Sequence, residues 1–360
     1  MLRVAIISRS TLYTVPGGDT VQAVQTARQL TELGVCVDIK LSSETIQYQL
    51  YDLLHFFNII RPADILFHIR KAKKPYVVST ILVDYSEYDQ QHRDGLGRLL
   101  GHLSPDGVEY VKTIARCVLG KDTLTSPSYL WRGQRRSILH ILDRAQMILP
   151  NSRSEYRRLM KAYPCDVKYQ VVPNGIDPQL FQYDGNAERD NNLVICVARI
   201  EGIKNQLNLI RALNNTRFKL ILIGNHSPNQ AGYYYECRNI AAANIEFIDH
   251  LPQPELVDYY SRAGVHVLPS WFETTGLSSL EAAAMGCNVV ITDKGDTREY
   301  FGDDAFYADP ADAHSIRKAI EQACAAGHKP NLREKILQKY TWAQAANCTL
   351  AAYQQIVQSL

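Results

Sequence analysis

Short apolar runs rich in β-branched residues alternate along this chain with stretches whose apolar positions recur every three or four residues. Val4–Ser8, Val35–Leu41, Leu53–Phe57, Tyr76–Val83 and Met147–Pro150 read as strands in the first half. Between the first two, Val21, Val24, Ala27, Leu30 and Leu33 fall at helical spacing within Thr20–Gly34. The pattern then starts again with strands at Leu193–Ala198, Phe218–Ile223, Ile245–Ile248, Val265–Pro269, Asn288–Thr292 and Ala305–Ala308. Helices are expected over Asn205–Asn214, Pro254–Ala263, Ser278–Met285 and Ala313–Ala326. Such alternation predicts an α/β protein with parallel sheets covered by helices, here two Rossmann-like doubly wound domains. Pro173–Pro178 and the polar Tyr183–Asn192 interrupt the pattern. The expected domains are therefore 1–173 and 174–341, with 342–360 as a C-terminal helix carrying Trp342, Ala346, Leu350, Tyr353 and Val357. Ligands of such sheets bind at the carboxyl ends of strands, so two domains facing each other would form a cleft.

Length agrees with this division: 360 residues exceed one ordinary core and suggest two domains of about 170 residues each. A hydrophobic content of 46% suits a globular protein, and a net charge of +2 gives no general case for nucleic-acid binding. No apolar run reaches the roughly 18 residues of a membrane span. The chain enters its first strand at once, so no secretory leader is expected. Eight cysteines are scattered without a Cys-x-x-Cys pair, which argues for reduced, mostly buried thiols in a cytoplasmic protein.

The densest chemistry lies at Trp271–Gly286, where Glu273 and Glu281 bracket Gly276. Gly276 permits close approach to the main chain, and Ser278 with Glu281 reads as a capping box that opens a helix. The unpaired N–H groups of such a helix start suit a phosphate, leaving one carboxylate on either side for hydroxyl groups. As a lone pair, the two residues read more readily as a capping glutamate and a loop carboxylate. Gly17 and Gly18, between the first strand and first helix, are either an anion-presenting turn or a flexible one. Arg199 and Lys204 bracket Gly202 at the end of the second domain's first strand. They form a guanidinium fork and a mobile ammonium for phosphate, or two solvated surface cations.

Together these pieces resemble the retaining nucleotide-sugar glycosyltransferases of family 4, which have the two-domain GT-B architecture. The resemblance covers most of the chain and is strongest from Pro150 to about Pro310. Its most specific element is Glu-x7-Glu, present as Glu273 and Glu281. Asn151-Ser152, Val172–Asp177, Ile223-Gly224 and Leu268–Ser270 support it in order and spacing. The resemblance implies that Arg199 and Lys204 bind the donor diphosphate, assisted by the backbone at Thr275, Gly276, Leu277 and Ser278 and by Gly17 and Gly18 across the cleft. Glu281 would accept from ribose hydroxyls, Glu273 would hold the transferred sugar, and the base would lie near Gly224, Asn225, His226, His250 and Leu251. It further implies that the C-terminal helix crosses back to the first domain. No cofactor is implied; the donor would be a UDP- or GDP-sugar, and the acceptor a sugar or lipid-linked glycan.

One departure concerns the acceptor side. Family members commonly carry a His at the end of the fourth strand, where this chain reads Val78–Tyr85; Asp84 is the polar candidate there. His55, His68, His92 and His102 are elsewhere. No Asp-x-Asp motif ends a strand, so Arg199 and Lys204 would replace a metal ion at the leaving group. The expected activity is hexosyl transfer with retention, in surface polysaccharide or glycolipid assembly. Arg132, Arg135, Arg136, Arg153, Arg157, Arg158 and Lys161 either solvate helix faces or meet an anionic surface at the inner face of the plasma membrane. The alternatives are a phosphorylase or synthase on the same fold, or a sugar-nucleotide-binding protein without catalysis.

Overall fold

The computed structural model describes residues 1–85, 87–88, 104–118, 126–183, 185, 188–327 and 329–358. The chain divides into two compact units. One comprises Met1–Leu82, Asp89–Asn174 and Trp342–Leu360, the other Val83–Tyr88 and Gly175–Thr341. In the first, β1 (Arg3–Ser8), β2 (Cys36–Leu41), β3 (Leu53–Phe57), β4 (Tyr76–Ser79) and β5 (Met147–Leu149) form a parallel sheet in the order β2-β1-β3-β4-β5. In the second, β6 (Asp190–Val197), β7 (Lys219–Ile223), β8 (Ile245–Ile248), β9 (Ala263–Leu268), β10 (Asn288–Thr292) and β11 (Phe306–Ala308) run parallel as β11-β10-β9-β6-β7-β8. Chain order therefore reverses between β1 and β3, and again between β6 and β9. A reversal of this kind opens a crevice at the strands' carboxyl ends.

Helices cover both sheets. The first unit carries α1 (Gly18–Glu32), α2 (Pro62–Ala72), α3 (Pro105–Val118), α4 (Ser128–Leu142) and α5 (Arg153–Ala162). The second carries α6 (Gln206–Leu213), α7 (Ala231–Ile240), α8 (Gln253–Arg262), α9 (Leu277–Ala284), α10 (Thr297–Phe301), α11 (Ala313–Ala325) and α12 (Pro330–Lys339). Helix α13 (Trp342–Val357) then packs on α1 and β5 of the first unit. Leu193–Ile195, Leu220–Ile223, Val265–Leu268 and Val289–Ile291 are buried along nearly their whole length, as parallel strands covered on both faces must be.

Several elements differ from the pattern reading. Val24 and Leu33 of the expected apolar stripe are 37% and 41% exposed. Helix α1 instead buries Gln22, Ala23, Thr26, Ala27 and Leu30, with Gln22 Nε2 donating to Asn151 Oδ1 at 2.8 Å. A paired amide has taken a place that hydropathy assigns to an apolar residue. Strand β4 stops at Ser79, short of Val83, because Glu155 captures the chain beyond it. Its Oε1 accepts from Thr80 Oγ1 and, at 2.8 Å, from Leu82 N, while Oε2 accepts from Asn151 N at 2.8 Å. Glu155 also donates its own N–H to Ser152 Oγ at 2.8 Å, which caps the start of α5.

The last helix is anchored through a buried histidine. His55 on β3 is hydrogen-bonded through Nδ1 to Tyr353 Oη at 2.6 Å and through Nε2 to Ser79 Oγ at 2.8 Å. Burial lowers its pKa to about 3, so the ring stays neutral and serves as a structural link between β3, β4 and α13. On α13 itself, Trp342, Ala345, Ala346, Thr349, Ala352, Tyr353 and Ile356 are buried, whereas Val357 of the expected stripe is 44% exposed.

Candidate active site

The two loops beside the chain reversal of the second sheet hold the clustered candidate residues. The first leaves β6 and holds Arg199 and Lys204. The second leaves β9 and holds Ser270 and Glu273. Backbone and side-chain bonds fasten them together: Trp271 N donates to Ile203 O at 2.9 Å, and Asn205 Nδ2 donates to Pro269 O at 3.1 Å and Pro310 O at 2.7 Å. Lys204 is thereby aimed at the β9 loop. Its Nζ lies 2.6 Å from Glu273 Oε2, an oxygen that also accepts from Ser270 Oγ at 3.0 Å. Arg199 is 41% exposed and pairs with Glu201 across 3.0 Å. Gln206 Nε2 holds the Arg199 carbonyl at 2.9 Å. Two cations of one loop thus reach the same end of the sheet, each resting on a carboxylate.

Glu273 is fixed from its backbone outward. Its N–H donates to Lys294 O at 3.2 Å, and its carbonyl accepts from Asp296 N at 3.0 Å. Gly295 makes this possible, with φ +94° and a missing Cβ that would fall 2.1 Å from Glu273 O. Three residues on, Gly276 at φ +72° is the N-cap of α9, and no side chain caps the helix. Ser278 lies inside the helix, so the expected capping box is absent. The left-handed turn at Gly276 makes the entry, and Glu281 points away from the helix end. Its Oε1 accepts from Gln253 Nε2 at 2.6 Å and its Oε2 from Tyr260 Oη at 3.0 Å, both on α8. Burial raises the Glu281 pKa to about 7, with the bonds from Gln253 and Tyr260 opposing that rise.

A pocket of about 260 Å³ opens beyond β7, lined by Gly224, Asn225, His226, Tyr234 and Asp249. The His226 and Tyr234 rings lie 4.9 Å apart, offering an apolar face. Asn225 Oδ1 accepts from His250 N at 3.0 Å, which holds the two expected base-side segments together. Leu251 is half-buried against the second core, Thr275 is buried, and Leu277 and Ser278 open α9 half-buried.

The remaining expected residues are distributed as follows. Gly17 caps α1 and Gly18 begins it, both in the first unit. Arg9 binds Asp19 there at 2.6 Å. Asp84 is exposed and belongs to the second unit, not to the first domain where 1–173 would put it. The cause is local: Glu87 pairs with Lys294 at 3.0 Å, and Tyr88 lies against Gly202. His68 is buried and hydrogen-bonded to Tyr48, whereas His92 and His102 fall outside the described residues. Ser270, Gln253, Tyr260, Tyr234 and Lys294 were not singled out from sequence. Gln253 and Tyr260 are seven residues apart on one helix, a spacing that places both on one face and was available as a signal.

Comparison with known proteins bears on this geometry. Residues 181–339 match the model of the glycosyl transferases group 1 family. The whole chain is similar to the D-inositol 3-phosphate glycosyltransferase of Kribbella flavida, 24% identical over 99% of this chain and 96% of that one. In structure it resembles the sucrose-phosphate synthase of Thermosynechococcus elongatus, with TM-score 0.75, 17% identity and full coverage of both chains. It also resembles HepE from Anabaena, solved with UDP and glucose, with TM-score 0.69, 15% identity and coverage of 100% and 99%. The fold is GT-B, and the matched segment contains both loops of the site. Among the described residues no helix is long and apolar enough to cross a membrane.

Proposed function

We propose that the protein is a retaining hexosyltransferase that moves a sugar from a nucleoside diphosphate donor to an acceptor hydroxyl. The observation that carries this reading is the convergence of Lys204, Glu273 and Ser270 beside the Gly276 helix start, on the loop that also carries Arg199. Arg199 and Lys204 hold the diphosphate and oppose the charge that grows on it as the glycosidic bond breaks. Lys204 exchanges its contact with Glu273 for the phosphate, and the released carboxylate accepts from hydroxyls of the sugar. Glu281, Gln253 and Tyr260 receive the ribose, and the His226–Tyr234 face receives the base. HepE, solved with UDP and glucose, makes a uridine donor the first to test.

Retention follows from same-face attack, with the departing phosphate oxygen accepting the acceptor's proton. The two glutamates bind the donor and do not flank the bond as a glycosidase pair would. Two cations serve the leaving group in place of a metal ion. The acceptor is a sugar or lipid-linked glycan, reached at the inner face of the plasma membrane in surface polysaccharide or glycolipid assembly.

A panel of UDP- and GDP-hexoses with lipid-linked and soluble acceptors tests this, the product anomer being read by NMR and a strong chelator included in parallel. Transfer with retention that persists in the chelator is expected. An inverted product, or activity restored only by magnesium or manganese, would overturn the mechanism. Tight donor binding with no transfer to any acceptor would favour a sugar-nucleotide-binding protein.

A further inference from the structure

Helix α4 carries an exposed feature that the transfer chemistry does not use. Its first turn ends on Leu130 and Trp131, 42% and 82% exposed, and Gly133 breaks the helix at φ 68° and ψ −178°. Beyond the break, Arg136 and His140 share one face at a spacing of four residues, and Arg144 follows in the exposed turn after the helix end. Arg132 stands exposed just before the break, next to Trp131. The His140 pKa is lowered by partial burial and then by the charges of Arg132 and Arg144. Asp143 is the carboxylate beside that end. Among the described residues, no carboxylate forms an ion pair with Arg132, Arg136 or Arg144; Arg135 alone on this helix does so, with Asp106 at 3.7 Å.

The inner side of α4 is secured. Tyr129, Gln134, Ser137, Ile138, Ile141 and Leu142 are buried, and Gln134 Nε2 donates to Ile60 O at 2.9 Å. The exposed tryptophan is therefore not a by-product of a loosely held helix. An indole and a leucine beside a row of arginines match a bilayer interface, where the ring sits at headgroup depth and the guanidinium groups meet lipid phosphates. A nucleic acid or acidic protein would use the arginines but leave the Leu130–Trp131 tip in water.

We propose that Leu130, Trp131 and the Arg132–Arg136–Arg144 row form a docking surface for an anionic lipid bilayer. This rests on the reading of the protein as a membrane-surface glycosyltransferase and assigns the contact to one helix. Each cation near an anionic surface strengthens partitioning several-fold, so three together supply about two orders of magnitude.

The test is co-sedimentation with vesicles of phosphatidylcholine alone or mixed equally with phosphatidylglycerol, alongside tryptophan fluorescence. Of three tryptophans, Trp271 and Trp342 are 3% and 4% exposed, so a blue shift on vesicles reports Trp131. Wild type should bind only the anionic vesicles, more weakly as salt rises, with a blue shift that Trp131→Phe removes. The triple change Arg132→Ser, Arg136→Ser, Arg144→Ser should lower partitioning about a hundredfold, and Trp131→Ser roughly tenfold. UDP affinity, read by calorimetry, should be unchanged in every variant, which shows that each is folded. Equal binding of variants and wild type, no binding by wild type, or binding to heparin with the same affinity and no blue shift would overturn the proposal. Vesicle binding without any glycosyl transfer would leave this surface standing while removing the enzymatic reading.

Discussion

If Glu281 receives the donor ribose as proposed, donor affinity should depend on pH. In the donor-free protein burial holds its pKa at about 7, against an ordinary 4.5. In the proposed complex ribose hydroxyls would donate to the ionised carboxylate, so donor binding would lower that pKa and favour the deprotonated form. Affinity should therefore rise with pH until it passes about 7 and then level off. If the bound value falls below 6, linkage gives about a tenfold tighter complex at pH 8 than at pH 6. Stability changes the other way. The folded protein holds a proton that the unfolded chain releases between 4.5 and about 7, so stability is full below 4.5 and is lost as pH rises through 7. A shift of this size in a fully buried group corresponds to about 3 kcal/mol. Calorimetry with a nucleoside diphosphate hexose is the appropriate assay, because such a donor has no phosphate group titrating in this range. Glu281→Gln should flatten the affinity profile and weaken binding at pH 8, because the amide cannot ionise. Its thermal midpoint should also fall less than that of wild type on moving from pH 5 to 8. An unchanged affinity slope in Glu281→Gln, or a flat wild-type profile, would refute the assignment of that carboxylate to the ribose.

Other outcomes follow from the same geometry. Arg199→Ala and Lys204→Ala should each reduce kcat by about two orders of magnitude, the scale of losing a preorganised charge; near-normal turnover in the folded double variant would remove both from the mechanism. Glu273→Gln should depress kcat more than it raises KM, because the sugar that it holds changes in the transition state. Gly295→Ala should cost about 2 kcal/mol or more in thermal stability and lower kcat through Glu273, since the new Cβ would meet a backbone carbonyl; a neutral effect on both readouts would contradict the arrangement. His55 must be neutral when folded, so its contribution to stability is present above 6.5 and lost as pH falls toward about 3. His55→Gln should weaken this acid sensitivity in urea titrations, and unaltered acid sensitivity would show that other groups carry it.

The strand–helix alternation, the division into two sheets and the ends of most strands were legible in the sequence. Parallel strands buried on both faces leave unbroken apolar runs that need no tertiary knowledge to see. The Glu273–Gly276–Glu281 cluster and the Arg199–Lys204 loop were legible for a related reason: each sits within a dozen consecutive residues whose chemistry depends on order and spacing. Only the tertiary structure decided how those residues are joined. Lys204 meets Glu273 because β6 and β9 are neighbours in the sheet, though 69 residues separate the two side chains. Glu281 is a buried acid and not a cap because α8 brings Gln253 and Tyr260 to it. Strand β4 ends early because Glu155, 73 residues beyond Leu82, captures its backbone. Local order selects which elements form, because helix and strand periods are properties of neighbouring residues. Ion pairs, buried carboxylates and their proton affinities depend on groups that approach only after the sheet has assembled.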